Sequence, residues 1–198
     1  KRVVITGLGA ITPLGNSVDE LWQNIVAGQS GAAALTKFDA SKFKTRFGCE
    51  VKGFRAEDFI EKKELKKYDL FTQYAIAASD QAITDAGLDF ARMPEEQRFE
   101  VGVIWGSGNG GIGTFGEQLG EYHAGDGTPR FNPYFIPRMI VDIAAGVISI
   151  RHQLYGPNYC TVSACASSNT AIINAFDTIR RGKATIMIGG ESEAAVTE

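Results

Sequence analysis

The chain has 198 residues, enough for one domain with a substantial core, and its 44% hydrophobic and 22% charged content excludes an intrinsically disordered polymer. A formal net charge of −3 offers no basic surplus for holding nucleic acid, and the longest apolar stretches, such as residues 139–150, are too short for a bilayer and contain Asp142. Lys1 and Arg2 before an apolar run imitate the start of a signal peptide, but the glycines and the missing small-residue cleavage site argue against one, so a cytoplasmic protein with no membrane partner is expected.

Residues 3–6 form a short apolar run stopped by Gly7 and Gly9 and predict a buried strand. Asn16 or Ser17 can cap a helix through Leu21, Trp22, Ile25 and Val26 that ends at Gly28. Residues 31–54 are irregular, with short extended pieces around 47–51. A long helix is predicted over 64–86, with Phe71, Tyr74, Ala75, Ala78, Ala82 and Ile83 apolar and Gly87 as its stop. Residues 101–105 predict a second buried strand. It runs into a glycine-rich loop at 106–113, and a mobile loop rich in glycine and proline follows Tyr122. Pro137 suits the first turn of a helix carrying the pairs Met139/Ile140, Ile143/Ala144 and Val147/Ile148. Residues 159–162 predict an edge strand, and 184–188 a further strand. Between them a helix runs through Ile172, Ile173, Phe176 and Ile179 to a stop at Gly182. This alternation implies an α/β fold with a largely parallel or mixed, covered sheet.

The richest chemistry lies where Cys160, Thr161 and Val162 give way to Ser163, Ala164, Cys165, Ala166, Ser167 and Ser168 at the head of that helix. A thiol at such a turn faces the positive helix end and amides without intrahelical partners, and both favour the nucleophilic thiolate. Small neighbours leave room for an acyl group, and a free amide can hold an oxyanion. The competing reading is a small apolar filler, the usual role of a free cysteine. Cys49 and Cys160 lack such a setting and are expected in the core. Three cysteines without a C-x-x-C pair, with only His123 and His152 beside them, argue against a metal site and against a disulfide framework. His152 reads as a surface or helix-end residue.

Gly106-Ser107-Gly108-Asn109-Gly110-Gly111 formally fits G-x-G-x-x-G. A dinucleotide site needs a helix opening directly on the loop and a suitably placed acid, and Asp126 sits in a loop with Gly125, Gly127 and Pro129. A tight strand-to-loop turn is the better reading. Lys62, Lys63, Lys66 and Lys67 share one face of the expected helix. Taken alone, they read as a solvated face partly neutralised by Glu61 and Glu64. Glu193 ends a G-G-x-x-E cluster, and a carboxylate following a buried strand needs a partner.

Five segments in order carry a resemblance: RVVITGLGAITPLGNS at 2–17, AGQSG at 27–31, GSGNGG at 106–111, NPYFIP at 132–137, and GPNYCTVSACASS at 156–168 followed by GGESE at 189–193. The chain resembles the N-terminal half of a β-ketoacyl-acyl-carrier-protein synthase, a type II elongating condensing enzyme of the thiolase superfamily. The resemblance implies a thiolase-like layered α/β/α half with a mixed five-stranded-type sheet, residues 1–198 forming one condensing domain of a two-half fold. The second half, with two catalytic histidines and an oxyanion loop, would be absent, and the fragment alone inactive.

For the whole protein the resemblance implies decarboxylative Claisen condensation of an acyl-enzyme with malonyl-acyl carrier protein in fatty-acid elongation. Cys165 is then the acyl-accepting nucleophile, with no cofactor and no metal. Asn109 falls in the floor of the acyl tunnel, where the family often has a bulkier gating residue. Tyr134 and Phe135 reach toward the partner's tunnel in a homodimer that meets through the 159–162 strand. Lys62, Lys63, Lys66 and Lys67 dock the acidic acyl carrier protein, and Glu193 is structural. A non-decarboxylating thiolase or acyltransferase shares the fold. A non-catalytic polyketide partner subunit does too, but it lacks the active cysteine that is present here.

Overall fold

The computed structural model describes residues 2–197. Helix α1 (Val18–Val26) opens on Ser17, whose hydroxyl accepts the Glu20 amide at 3.2 Å while the Glu20 carboxylate accepts the Asn16 amide at 2.7 Å. β1 (Ala33–Ala34) and β2 (Phe47–Gly48) make a short antiparallel ladder. Then come α2 (Leu70–Asp85), α3 (Glu95–Arg98), β3 (Val101–Gly106), α4 (Ile112–Ala124), α5 (Phe135–Met139) and α6 (Ile143–His152). β4 (Asn158–Thr161), α7 (Ser167–Arg180) and β5 (Ile186–Glu191) complete the chain. Gly182, at φ +72°, stops α7 in the left-handed conformation that favours glycine.

Three strands form a parallel sheet in the order β4-β3-β5, with Val103 opposite both Asn158 and Ile188. Every residue of β3 is buried, and its side chains divide by the strand's twofold period. Val101, Val103 and Trp105 pack on one face with Phe71, Ala75 and Ile83 of α2 and Ala144, Ala145 and Ile148 of α6. Ile104 packs on the other face with Ala171 and Ala175 of α7. Helices on both faces make the α/β/α layering, and a strand covered on both sides explains the unbroken apolar run in β3. Each fully buried Val or Ile contributes about 1.5–3 kcal/mol. Among the described residues no helix is long and apolar enough to cross a membrane.

Four expectations need correction. Residues 3–6 form no strand. The segment lies along α2, with the Leu8 amide donating to Asp85 and the Ala10 amide to Gln81, each at 2.9 Å, and Ile5 is 79% exposed. A strand exists only where another backbone supplies its ladder, which composition cannot report. Among the described residues the sheet thus holds three parallel strands, and the two remaining strands form a separate ladder.

The helix expected over 64–86 begins at Leu70. Residues 65–67 make a 3-10 turn, Tyr68 is extended, and the Asp69 carboxylate caps α2 by accepting the Phe71 amide at 3.3 Å. The four lysines therefore do not share a helix face. α4 was not expected at all, because Gly113, Gly116 and Gly120 each cost a helix about 1 kcal/mol relative to alanine. Tertiary bonds compensate: Asp69 accepts both the amide and the hydroxyl of Thr114, and Gln118 accepts the Asn132 amide at 2.7 Å. Finally, the helix expected from Pro137 onward is two helices, because Ile140 is extended at ψ 140°. The pairs Ile143/Ala144 and Val147/Ile148 do lie together on α6.

Candidate active site

Because β3, β4 and β5 are parallel, their carboxyl ends lie together, and the residues that follow them converge there. These are Ser107 to Asn109 after β3, Val162 to Cys165 after β4, and Ser192 and Glu193 after β5. Between β4 and α7 the chain makes a tight turn in which Ala164 adopts φ +50°, a left-handed conformation strained for a residue with a Cβ. Cys165 is exposed on this turn. Its amide donates to no acceptor among the described residues, whereas the Ala166 and Ser167 amides return to the Ser163 and Ala164 carbonyls at 3.1 and 3.0 Å.

Ser167, fully buried, accepts the Ser163 amide at 3.0 Å and donates to the Ala164 carbonyl at 2.7 Å. The turn is pressed tightly against β3: a Cβ on Gly106 would lie 2.8 Å from the Ser167 carbonyl carbon. An exposed thiol beside an unpartnered amide at the head of a fourteen-residue helix is a geometry for covalent acyl transfer.

Two carboxylates flank the turn. Glu193 Oε1 accepts the Ser107 hydroxyl at 2.9 Å and the amides of Gly108 and Asn109, while its Oε2 is buried without a donor among the described residues. Glu191 accepts the Ser168 amide at 2.8 Å, and burial pushes its carboxyl above the ordinary value. Glu193 has thus found the partners its position called for, and it pins the 106–111 loop, whose Gly108 lies against Ala164.

A helix does open directly on that loop, which the sequence did not suggest. The loop amides are nevertheless taken: Gly110 donates to Ser107 Oγ and Gly111 to the Met139 carbonyl, each at 3.0 Å. The Asp69 carboxylate occupies the head of α4, and Asp126 is engaged by the Thr128 amide in its own turn. With four loop amides engaged and a carboxylate already at the head of α4, the loop is a poor seat for a pyrophosphate.

Asn109 sits exposed on the loop beside the cysteine turn. Phe135 stacks on Phe115 and Phe131 at 6.3 and 5.4 Å, and Tyr134 precedes it at the start of α5; these rings lie with α4 rather than with the turn. Among the lysines, Lys63 pairs with Glu61 and Lys67 with Glu64, each at 2.7 Å, and those bonds raise both ammonium pKa values. Lys62 and Lys66 are exposed without an ion pair among the described residues.

Cys49 is exposed and not in the core as expected, since it follows a two-residue ladder whose Phe47 is itself exposed. Cys160 is half-buried, and burial raises its thiol pKa. His152 ends α6, bonded to Asp80 at 2.9 Å, as its sequence position suggested. Asp69 and Ser167 escaped the sequence reading. The only signal was an Asp or Ser placed before or within a helix start, a common pattern.

The fold and this site define an α/β/α half-domain that carries an exposed thiol at a strand-to-helix turn. Residues 1–198 match the family described as β-ketoacyl synthase, N-terminal domain, and the chain belongs to it. Among curated proteins it is 44% identical over 197 residues to 3-oxoacyl-[acyl-carrier-protein] synthase 2 of Synechocystis sp., covering 100% of this chain and 46% of the relative. A β-ketoacyl synthase from Burkholderia phymatum superposes with TM-score 0.81 at 30% identity, covering 98% of this chain and 48% of that one. The ishigamide ketosynthase/chain length factor superposes with TM-score 0.88 at 28% identity, over 97% and 47%. The chain spans about half the length of the curated relatives it matches.

Proposed function

We propose that this chain is the nucleophile-bearing half of a 3-oxoacyl-[acyl-carrier-protein] synthase acting in fatty-acid elongation. The observation that carries the reading is the exposed Cys165 thiol on a strained turn, beside its own unpartnered amide. The thiolate attacks the carbonyl of an acyl-carrier thioester, the tetrahedral oxyanion takes the Cys165 amide as donor, and the carrier thiol leaves. Malonyl-carrier protein then enters and loses carbon dioxide. The resulting carbanion attacks the acyl-cysteine carbonyl, expelling the thiolate and giving a β-ketoacyl product. The histidines that would stabilise the carbanion belong to a second half of the protein.

In the same reading Asn109 contributes to the floor of the acyl site, and Tyr134 and Phe135 serve the acyl tunnel of a second copy. A two-fold homodimer through β4 draws support from its outer edge, unpaired among the described residues, and from exposed Tyr159, Val162, Ile172, Ile173 and Phe176 nearby. Three free cysteines suit a cytoplasmic location.

The lysines are assigned to the acidic carrier protein, with Lys62 and Lys66 the cations left to face it. Reversing these two charges in the intact protein should slow acyl transfer from the carrier, with an effect that fades as salt rises, while a small thioester reacts as before. Equal loss with both substrates would contradict carrier docking there.

A further inference from the structure

We propose that Ser167 is a positioning residue that aims the Cys165 amide at the reacting carbonyl; the inference rests on the reading of Cys165 as acyl acceptor. A trans peptide points its C=O and its N–H to opposite sides. In the peptide joining Ala164 to Cys165, the carbonyl is drawn toward the start of α7 by two donors, the Ser167 amide at 3.0 Å and the Ser167 hydroxyl at 2.7 Å. The N–H of the same peptide must then point away from that anchor, and it is the amide left without an acceptor among the described residues.

The hydroxyl does more than duplicate the amide. It also accepts the Ser163 amide at 3.0 Å, so one side chain grips the main chain on both sides of Ala164, the residue held at φ +50°. Ser167 is fully buried, and the Thr161 hydroxyl fixes Ser167 itself by donating to its carbonyl at 3.0 Å. Without the hydroxyl, the strained residue loses one of the two bonds holding its carbonyl and the one bond holding the amide before it. The peptide is then free to rotate, and the oxyanion donor rotates with it.

The thiol and the amide are separable in reactivity. Alkylation by iodoacetamide is a displacement at saturated carbon and builds no oxyanion, whereas acylation by a thioester does. In the intact protein, Ser167→Ala should slow acylation of Cys165 by an acyl thioester by about tenfold to a hundredfold, short of the 10²–10³ lost when a donor is deleted outright. Alkylation of Cys165 by iodoacetamide should be unchanged. Thr170→Val, which removes a hydroxyl one turn further along α7 and leaves the Ala164 carbonyl held, should change neither rate. As a second readout, the thioester carbonyl stretch of the acyl-enzyme should rise in Ser167→Ala toward that of a free thioester.

Acylation and alkylation falling together, or an unaltered acylation rate with an unmoved carbonyl stretch, overturns the inference. So does a melting collapse with faster labelling of all three cysteines, which marks a structural role only. A wild-type protein that takes no acyl group overturns the acyl-acceptor reading and this inference with it, whereas an acylated wild type and an equally fast Ser167→Ala overturn the Ser167 role alone.

Discussion

Gly106→Ala tests whether the cysteine turn is pressed against the sheet as closely as the geometry requires. A Cβ at Gly106 would meet the Ser167 carbonyl carbon and oxygen at 2.8 Å and the Ser167 Cβ at 2.9 Å, where ordinary contact begins at 3.4 Å. Two of these atoms are main chain at the start of a fourteen-residue helix, so no side-chain rotation relieves the clash and α7 must move by roughly half an ångström or more. Overpacking of this kind costs about 1–3 kcal/mol, and the alanine recovers about 0.4–1 kcal/mol by restricting the unfolded chain. From the middle of each range the net loss should be about 1.3 kcal/mol, or about 3–5 °C in Tm for a chain of this size.

Gly113→Ala is the matched control. It lies on α4 with nothing within 4 Å of a built Cβ, so it should gain about 0.5–1 kcal/mol from helix propensity. Thermal and urea denaturation of both variants, with the labelling rate of Cys165 alongside, measure the contrast. If Gly106→Ala is as stable as Gly113→Ala and labels like wild type, the close approach of α7 to β3 is wrong.

Two further outcomes follow from the carboxylates. Glu193→Gln keeps an acceptor but loses the charge that serves the Ser107 hydroxyl and two loop amides, so urea denaturation should show a loss of about 1–3 kcal/mol; unchanged stability would mean that the loop does not depend on it. Burial raises the folded-state pKa of Glu191 above 4.5, so the folded protein keeps a proton there that the unfolded chain has released. The stability contributed by this group is therefore full below that value and is lost as pH rises through the raised folded pKa. The stability of wild type minus that of Glu191→Gln should fall over this window, and a pH-independent difference would contradict the burial of Glu191.

The elements that the sequence foretold are those whose pattern is complete within the element. β3 is apolar throughout because helices cover both faces, and α7 carries its own glycine stop. The failures arise where a remote partner decides. Residues 3–6 look like a strand, but the side chains of Asp85 and Gln81 take nearby amides along α2. α4 looks like a glycine loop, but Asp69, far back in the chain, caps it.

The site divides in the same way. The place of Cys165 ahead of α7 was legible because a β-branched run gives way there to small residues and then to a helix, and the bonding of Glu193 because a carboxylate after a buried strand needs donors. The lysine cluster was legible in composition but not in shape, since the Asp69 cap breaks the helix that would have aligned it. Ser167 was invisible as a positioning residue, because its two bonds exist only once Ala164 adopts positive φ.

The central claim is that Cys165 takes the acyl group. Intact-mass and peptide-mapping spectrometry of the full-length protein after brief incubation with an acyl-carrier thioester, without malonyl donor, tests it most directly. One acyl group per chain should appear, on the peptide bearing Cys165, and it should vanish in Cys165→Ala. Acyl groups on Cys49 or Cys160, or none on any cysteine while product still forms, would contradict the account.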